Sequence, residues 1–197
     1  PHEVVGLARP AAGGAFGLYA LVVIDPATAK VAATLLTGDD ANAGGREPAD
    51  HWTVAVSPDG ATADWVAWAS GHEGDDSAFS DITMYAHNLQ TGVTLTLGTA
   101  DSGETTTSGP AVGGDAAVWA DDEGLHIYSL SQRTITRTIA VNKDQAWTRF
   151  TLRWPWLSYD VNGTYDSEGN VVVPPVPHLI DLRDGSDVVA PGVCDGT

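Results

Sequence analysis

One order of short segments recurs along this chain and constrains it more than any other feature. An apolar run, a turn, a run containing an aromatic residue, an acidic turn, a third run, another turn and a fourth run follow one another. In the clearest copy these are Pro110-Ala111-Val112, the turn Gly113-Gly114-Asp115, residues 116–120 with Val118-Trp119, the acidic turn 121–124, and the runs 125–129 and 134–139. Short runs rich in Val, Ile, Thr, Trp and Tyr, bounded by Gly, Pro, Asn and Asp, are the signature of strands. No segment carries apolar residues at helical spacing over several turns, so the chain reads as strand and turn throughout.

Other copies keep the order. Val54-Ala55-Val56 precedes the turn Ser57-Pro58-Asp59-Gly60, and residues 65–70 follow with Trp68 in the place of Trp119. Residues 82–88, Gln90-Thr91-Gly92 and residues 93–97 complete that copy. A later one runs through 151–154, 156–161, 178–182, the turn Arg183-Asp184-Gly185 and 187–190. At the front, 18–25, 26–29 and 31–35 match the last two strands and their turn, with 4–7 as a second strand. The residue just before each last hairpin turn, at Pro26, Leu89, Leu130 and Leu182, recurs after 63, 41 and 52 positions. Spacings of about 40–50 residues belong to four-stranded blades. The two longer periods are accounted for by loops at 38–50, 71–80 and 162–173. The fold class expected is therefore all-β, with β-propeller-type repeats of four-stranded antiparallel blades. About four blades are expected, at residues 4–37 (partial), 52–99, 109–141 and 147–191, as a single domain or part of a larger propeller.

The sequence of a short strand, Ser-Pro-Asp-Gly or Gly-Gly-Asp, then Val-Ala-Trp, then Ile-x-x-Tyr-x-x-x-Leu-x-Thr-Gly resembles the repeats of TolB-like periplasmic propellers and WD-like repeats of secreted bacterial proteins. Ser57, Pro58, Asp59, Gly60, Trp68, Leu89, Thr91 and Gly92 carry it in one copy, and Gly113, Gly114, Asp115, Trp119 and Leu130 in the next. It covers roughly residues 50–190. It implies a blade architecture and a periplasmic, cell-surface or secreted location, and it implies little about function, because such blades host unrelated roles. That family closes its ring with more blades than are countable here. Closure from outside the chain is expected, by further blades or by an edge-to-edge homodimer, since open sheet edges attract partners.

Charge narrows the partners. Nine Lys and Arg stand against 26 Asp and Glu, for a net −17, which repels phosphate backbones and anionic headgroups. Nucleic acid is not an expected partner, and membrane insertion is not expected, because no apolar stretch approaches the length needed to cross a bilayer. The lone Cys194 offers no disulfide partner.

Few residues form a chemical constellation. No histidine pair, hydrolase elbow, phosphate loop or dinucleotide fingerprint is present. His72, Glu73, Asp75 and Asp76 crowd one loop, and a solvated acidic loop accounts for the same letters. Asp160, Asn162, Asp166 and Glu168 supply oxygen ligands that would suit Ca²⁺, in a spacing that departs from the calcium loop; an ordinary turn is the favoured reading and no resident cofactor is expected. Trp68 and Trp119 occupy equivalent positions and are expected in the core. Trp52, Trp65, Trp147 and Trp154 are less constrained and are the candidates to line a ligand groove. The function expected is a non-catalytic propeller that binds a protein, peptide or other ligand, or acts as a scaffold, in the bacterial envelope or exterior. The alternatives are the propeller portion of a larger hydrolase of the prolyl oligopeptidase type, and a carbohydrate-active propeller.

Overall fold

The computed structural model describes residues 4–8, 20–25, 27–36, 54–56, 65–73, 79–100, 108–121, 123–140, 150–161, 164–165, 171–173 and 176–189. Every regular element among them is a strand. The first sheet consists of β1 (Val4–Ala8), β2 (Ala20–Asp25) and β3 (Lys30–Leu36), and the second of β4 (Val54–Val56), β5 (Trp65–Glu73), β6 (Phe79–Asn88) and β7 (Thr94–Ala100). The third comprises β8 (Ser108–Gly113), β9 (Ala116–Ala120), β10 (Leu125–Ser129) and β11 (Thr134–Ile139). In the fourth, β12 (Phe150–Arg153) and β13 (Trp156–Val161) are followed by a small hairpin, β14 (Thr164–Tyr165) with β15 (Val171–Val173), before β16 (Val176–Asp181) and β17 (Asp187–Val189) complete the sheet. Neighbours in each sheet are antiparallel and follow chain order, so each sheet is a meander.

Two loop expectations change. The segment 71–80 is in part strand, because β5 continues to Glu73 and β6 begins at Phe79, with His72 opposite Ser80. The segment 162–173 contains the β14–β15 hairpin. The first stretch is polar and Gly-rich, and a hairpin arm that extends past its sheet shows no apolar alternation, whereas in the second β15 is the apolar run Val171-Val172-Val173, a strand-type run in the sequence as well.

The hairpin joining the last two strands of each sheet is built the same way four times. The final residue of the next-to-last strand is Asp25, Asn88, Ser129 or Asp181, and its side chain accepts a backbone N–H two or three residues on: Ala27 at 2.9 Å, Thr91 at 2.8 Å, Gln132 at 3.1 Å and Arg183 at 3.0 Å. Short polar side chains of this kind replace the missing turn hydrogen bonds. Four residues after each cap the backbone turns left-handed, at Ala29 (φ 54°), Gly92 (70°), Arg133 (56°) and Gly185 (76°). Glycine adopts that conformation freely, whereas other residues are strained by roughly 1–2 kcal/mol. Nothing lies within 4 Å of a Cβ built on Gly92, so Gly92→Ala should cost about 1–2 kcal/mol through the backbone alone. Arg133→Gly should relieve that strain and give back about 0.5–1 kcal/mol to glycine's unfolded-state entropy, for a small net stabilisation. Paired urea melts of the two variants check the opposite signs.

A second repeated device stacks the sheets. In each complete sheet the second and third strands place two rings opposite each other: Trp68 with Tyr85, Trp119 with His126, and Tyr159 with His178. Their centroids lie 5.3, 5.1 and 5.0 Å apart, stacked within 29° of parallel. Each row faces the preceding sheet. Trp68 packs with Leu35 of the first sheet. Trp119 enters a cluster with Ala67, Met84, Leu95 and Leu97 of the second. Tyr159 joins Val118, Ala120 and Ile127 of the third. Trp68 and Trp119 are 2% and 1% exposed, as their equivalence in the sequence predicts. All five residues of β9 are buried, because Ala117 and Trp119 face one neighbour while Ala116, Val118 and Ala120 face the other. A strand buried on both faces by flanking sheets is what a stacked array requires.

The outward face of the fourth sheet differs. Trp156 and Val188 stand 42% and 54% exposed there. Ser158 and Thr151 are also exposed on that face. They hold the register positions at which the third sheet buries Val118 and half-buries Ala111.

Candidate functional site

The polar side chains that could carry chemistry fall into clusters between strands. At the acidic turn of the third sheet, Asp121 Oδ1 accepts from the N–H groups of Glu123 (2.9 Å) and Gly124 (3.2 Å) and lies 2.8 Å from His126 Nε2. His126 Nδ1 is 3.2 Å from Thr138 Oγ1, and the ring stacks on Trp119. Burial pushes the Asp121 carboxyl up, but the His126 contact and the two backbone donors outweigh it and hold the group below the usual carboxylate range. Because the folded value lies below the unfolded one of about 3.9, the pair stabilises the fold above about pH 4, and that contribution is lost as pH falls through the folded value. Asp121→Asn should therefore lower the melting temperature at pH 7 and flatten its decline between roughly pH 5 and 3; a pH series of thermal melts reads both.

A second histidine–carboxylate pair ties the third and fourth sheets together at their outer rim. Asp187 accepts from Tyr159 Oη at 2.8 Å and lies 3.0 Å from His178 Nδ1. Arg137 of the third sheet donates to the Gly185 carbonyl at 3.2 Å and lies 3.6 Å from the same carboxylate. Burial, then the hydrogen bond and charge of Asp187, push the Tyr159 phenol up to about 12, so it remains a donor across the physiological range. Asp115 ties two turns in the same manner, accepting from Ser129 Oγ (2.7 Å), Ser131 N (2.8 Å) and Ser131 Oγ (2.9 Å). Beside the fourth sheet, Arg183 grips the Asp181 carboxylate and lies 5.9 Å from the centroid of the Trp156 ring. In the geometry shown, these groups spend their hydrogen bonds on holding strands and turns in register. Among the described residues, no group of three or more His, Cys, Asp or Glu is placed to hold a metal ion.

Of the aromatic candidates, Trp65 and Trp154 are half-buried in two different inter-sheet clusters, and the structure does not bring them together. Trp154 packs over the Gly113-Gly114 turn, where a Cβ on Gly114 would collide with its ring. Trp52 and Trp147 lie outside the described residues. Of the oxygen ligands considered for Ca²⁺, Asp160 is half-buried near the end of β13, paired with Pro177, and Asn162, Asp166 and Glu168 lie outside the described residues. His126, His178, Asp121 and Asp187 were not singled out from the sequence, although a signal exists. Tyr85, His126 and His178 each stand four residues before the hairpin markers Leu89, Leu130 and Leu182.

The alternation of strands also sorts the connections. The described strand ends flanking residues 37–53, 101–107 and 141–149 join one sheet to the next, those flanking 74–78, 121–124 and 162–175 join second to third strands, and those flanking 9–19 join β1 to β2. In a meander all of these ends share one edge of the sheets. The opposite edge carries the four capped hairpins, the turns at Gly114 and Trp154-Pro155, and the strand ends at Val56 and Trp65.

Successive antiparallel meander sheets, stacked face to face through one repeated aromatic row, define a propeller-type all-β repeat protein. No family model matches the chain, and no curated protein matches it. Among solved structures it is similar to the β-propeller domain of the Trilobed protease from Pyrococcus furiosus, described as having an open velcro topology, at 10% identity, 95% of this chain, 57% of that one and TM-score 0.49. It is also similar to Porphyromonas gingivalis dipeptidyl peptidase 4, at 11% identity, 97% and 33% coverage and TM-score 0.46. The tricorn protease follows, at 15% identity, 89% and 21% coverage and TM-score 0.38. The chain thus spans 57% or less of each of these.

Proposed function

We propose that this chain is a non-catalytic propeller-type module that holds a protein or peptide partner at the edge from which its second-to-third-strand connections leave. The observation carrying this reading is the asymmetry of the two edges. One bears four hairpins capped in the same way, and the strand ends on the other lead into seven connections whose lengths run from the four-residue turn 121–124 to the 17 residues of 37–53. Binding residues concentrate on variable connections positioned by a rigid scaffold. The His–Asp pairs support the same reading, because each is engaged in joining strands. A TolB-like character and a place in the bacterial envelope or exterior belong to the proposal. Tyr85, Leu89 and Gly92, which fall within that resemblance, hold core or turn positions here.

The test replaces residues 164–173 with a Gly-Ser segment of equal length and probes both proteins on peptide and glycan arrays. Ligands that bind the parent and are lost from the variant, with the melting temperature unchanged, are the expected result. Equal binding by both proteins, or hydrolysis of peptide or glycoside substrates by the chain alone, would overturn it. A second reading, the propeller portion of a larger hydrolase, is favoured by the exposed Trp156 and Val188 on the outward face of the fourth sheet, a surface suited to a further sheet or domain.

A further inference from the structure

The three complete sheets meet at two junctions, and the outer rims of these junctions are held shut by different chemistry. The hairpin caps align them. Ala86 and Ile127 each stand two residues before the cap of their sheet, Asn88 and Ser129, so the outer-strand residues opposite them, Leu95 and Arg137, are counterparts. Leu95 is 9% exposed and, with Leu97, shares one apolar cluster with Trp119, Tyr128 and Leu130 of the third sheet. Arg137 instead crosses to the fourth sheet through polar contacts, donating to the Gly185 carbonyl at 3.2 Å and lying 3.6 Å from Asp187. Asp187 breaks the pattern too. Six residues after the four caps the outer strands hold Val31, Thr94, Ile135 and Asp187, so the fourth sheet alone has a charge at that place.

Among the described residues, the titratable and charged groups facing Asp187 are Tyr159 from β13, His178 from β16 and Arg137 from β11. An ion pair as exposed as that of Arg137 and Asp187, with side chains 40% and 24% accessible, contributes little by itself. The hold comes from one carboxylate gathering partners from three strands, and charge-assisted contacts of this kind all weaken when it is neutralised. We propose that the third–fourth junction is an acid-released seam: with Asp187 ionised its rim is shut, and with Asp187 neutral the rim parts between Arg137 and Asp187 while the second–third junction, sealed by Leu95 and Leu97, stays closed. Burial pushes the Asp187 carboxyl up, but the hydrogen bonds from Tyr159 and His178 and the charges of His178 and Arg137 outweigh it and hold the group below the usual carboxylate range. The folded value thus lies below the unfolded one of about 3.9, so the seam is held above about pH 4 and released as pH falls through the folded value.

Buried side chains on both sides of each junction report its state. Ile127 and Tyr159, 6% and 4% exposed, line the third–fourth junction, and Leu97 and Tyr128, 5% and 6% exposed, line the second–third junction. Hydroxyl-radical footprinting of the intact 197-residue protein, read residue by residue by mass spectrometry, compares them. In Asp187→Asn at pH 7, and in the parent as the pH is lowered toward about 3, labelling of Ile127 and Tyr159 should rise at least about fivefold and that of Leu97 and Tyr128 less than about twofold. Arg137→Leu combined with Asp187→Val installs the residue types found at Leu95 and Val31. That double variant should keep all four side chains protected at pH 7 and abolish the difference between the two junctions in acid. Asp121 loses its charge in parent and variants alike, so the double variant controls for it. A rise at Tyr159 alone, which the loss of its hydrogen bond would explain, an equal rise at all four side chains, no rise in Asp187→Asn, or an acid response of the third–fourth junction that survives in the double variant would overturn the proposal.

Discussion

Trp119→Ala should cost about 3–5 kcal/mol, the range for deleting a large ring from a core that cannot collapse. The ring is 1% exposed, stacks on His126 and packs against Gly98 of the neighbouring sheet so closely that a Cβ there would come within 2.9 Å of Cζ2. Burying roughly 150–250 Å² of aromatic surface at about 25 cal/mol per Å² is worth approximately 4–6 kcal/mol. The indole N–H of Trp119, like that of Trp68, has no hydrogen-bond partner among the described residues. Such a group costs about 1–3 kcal/mol, so packing outweighs the unmet donor. Trp119→Phe, which removes the donor and keeps a ring, should accordingly lose much less than Trp119→Ala. Chemical denaturation of the two variants measures the difference; a loss below about 1 kcal/mol for the alanine would show that the ring is not what joins the second and third sheets.

Gly124→Ala should be comparably damaging, at about 3 kcal/mol or more, for a backbone reason. Gly124 closes the acidic turn with φ at 146°, a conformation that is essentially glycine's own. A Cβ there would run into the carbonyl oxygen of Ile139, which is backbone and cannot swing aside. Relief would require moving the end of β11 or opening the turn, and the turn is held by reciprocal hydrogen bonds between the backbones of Asp121 and Gly124. Because Asp121 Oδ1 also accepts from Gly124 N–H, the substitution should loosen the Asp121–His126 pair and reduce the pH dependence of stability along with the stability itself. A variant melting within 2 °C of the parent, given roughly 2–4 °C per kcal/mol for a domain of this size, would contradict the geometry of this turn.

The strands, the sheet order and the core tryptophans were legible because each rests on local chemistry that repeats. Trp68 and Trp119 sit in runs of the same pattern, and the marker at Leu89, Leu130 and Leu182 keeps step through loops of unequal length. The caps Asp25, Asn88, Ser129 and Asp181, one residue before each marker, were equally open to reading. The ties across sheets were not. Arg137 meets Gly185 and Asp187 from 48 and 50 positions away, a pairing that only the stacking of sheets creates. Trp154 reads as a free ring suited to ligand, yet half of it is spent covering the Gly113-Gly114 turn, because glycine leaves room there that no pattern within one blade reveals. Gly71, His72 and Glu73 read as loop because β5 runs on past the buried part of its sheet, where apolar alternation ends.

Residue-resolved amide hydrogen exchange on the whole chain tests the stacked-sheet architecture most directly. At the positions of β5, β6, β9, β10, β13 and β16 that are paired on both sides, such as Val66 to Trp68 of β5, slow exchange is expected throughout, with closely similar opening energies in neighbouring sheets. In the outer strands β7, β11 and β17 slow and fast amides should alternate, since only every second N–H finds a partner. Protection confined to a single sheet, or uninterrupted protection along the outer strands, would contradict the architecture described above.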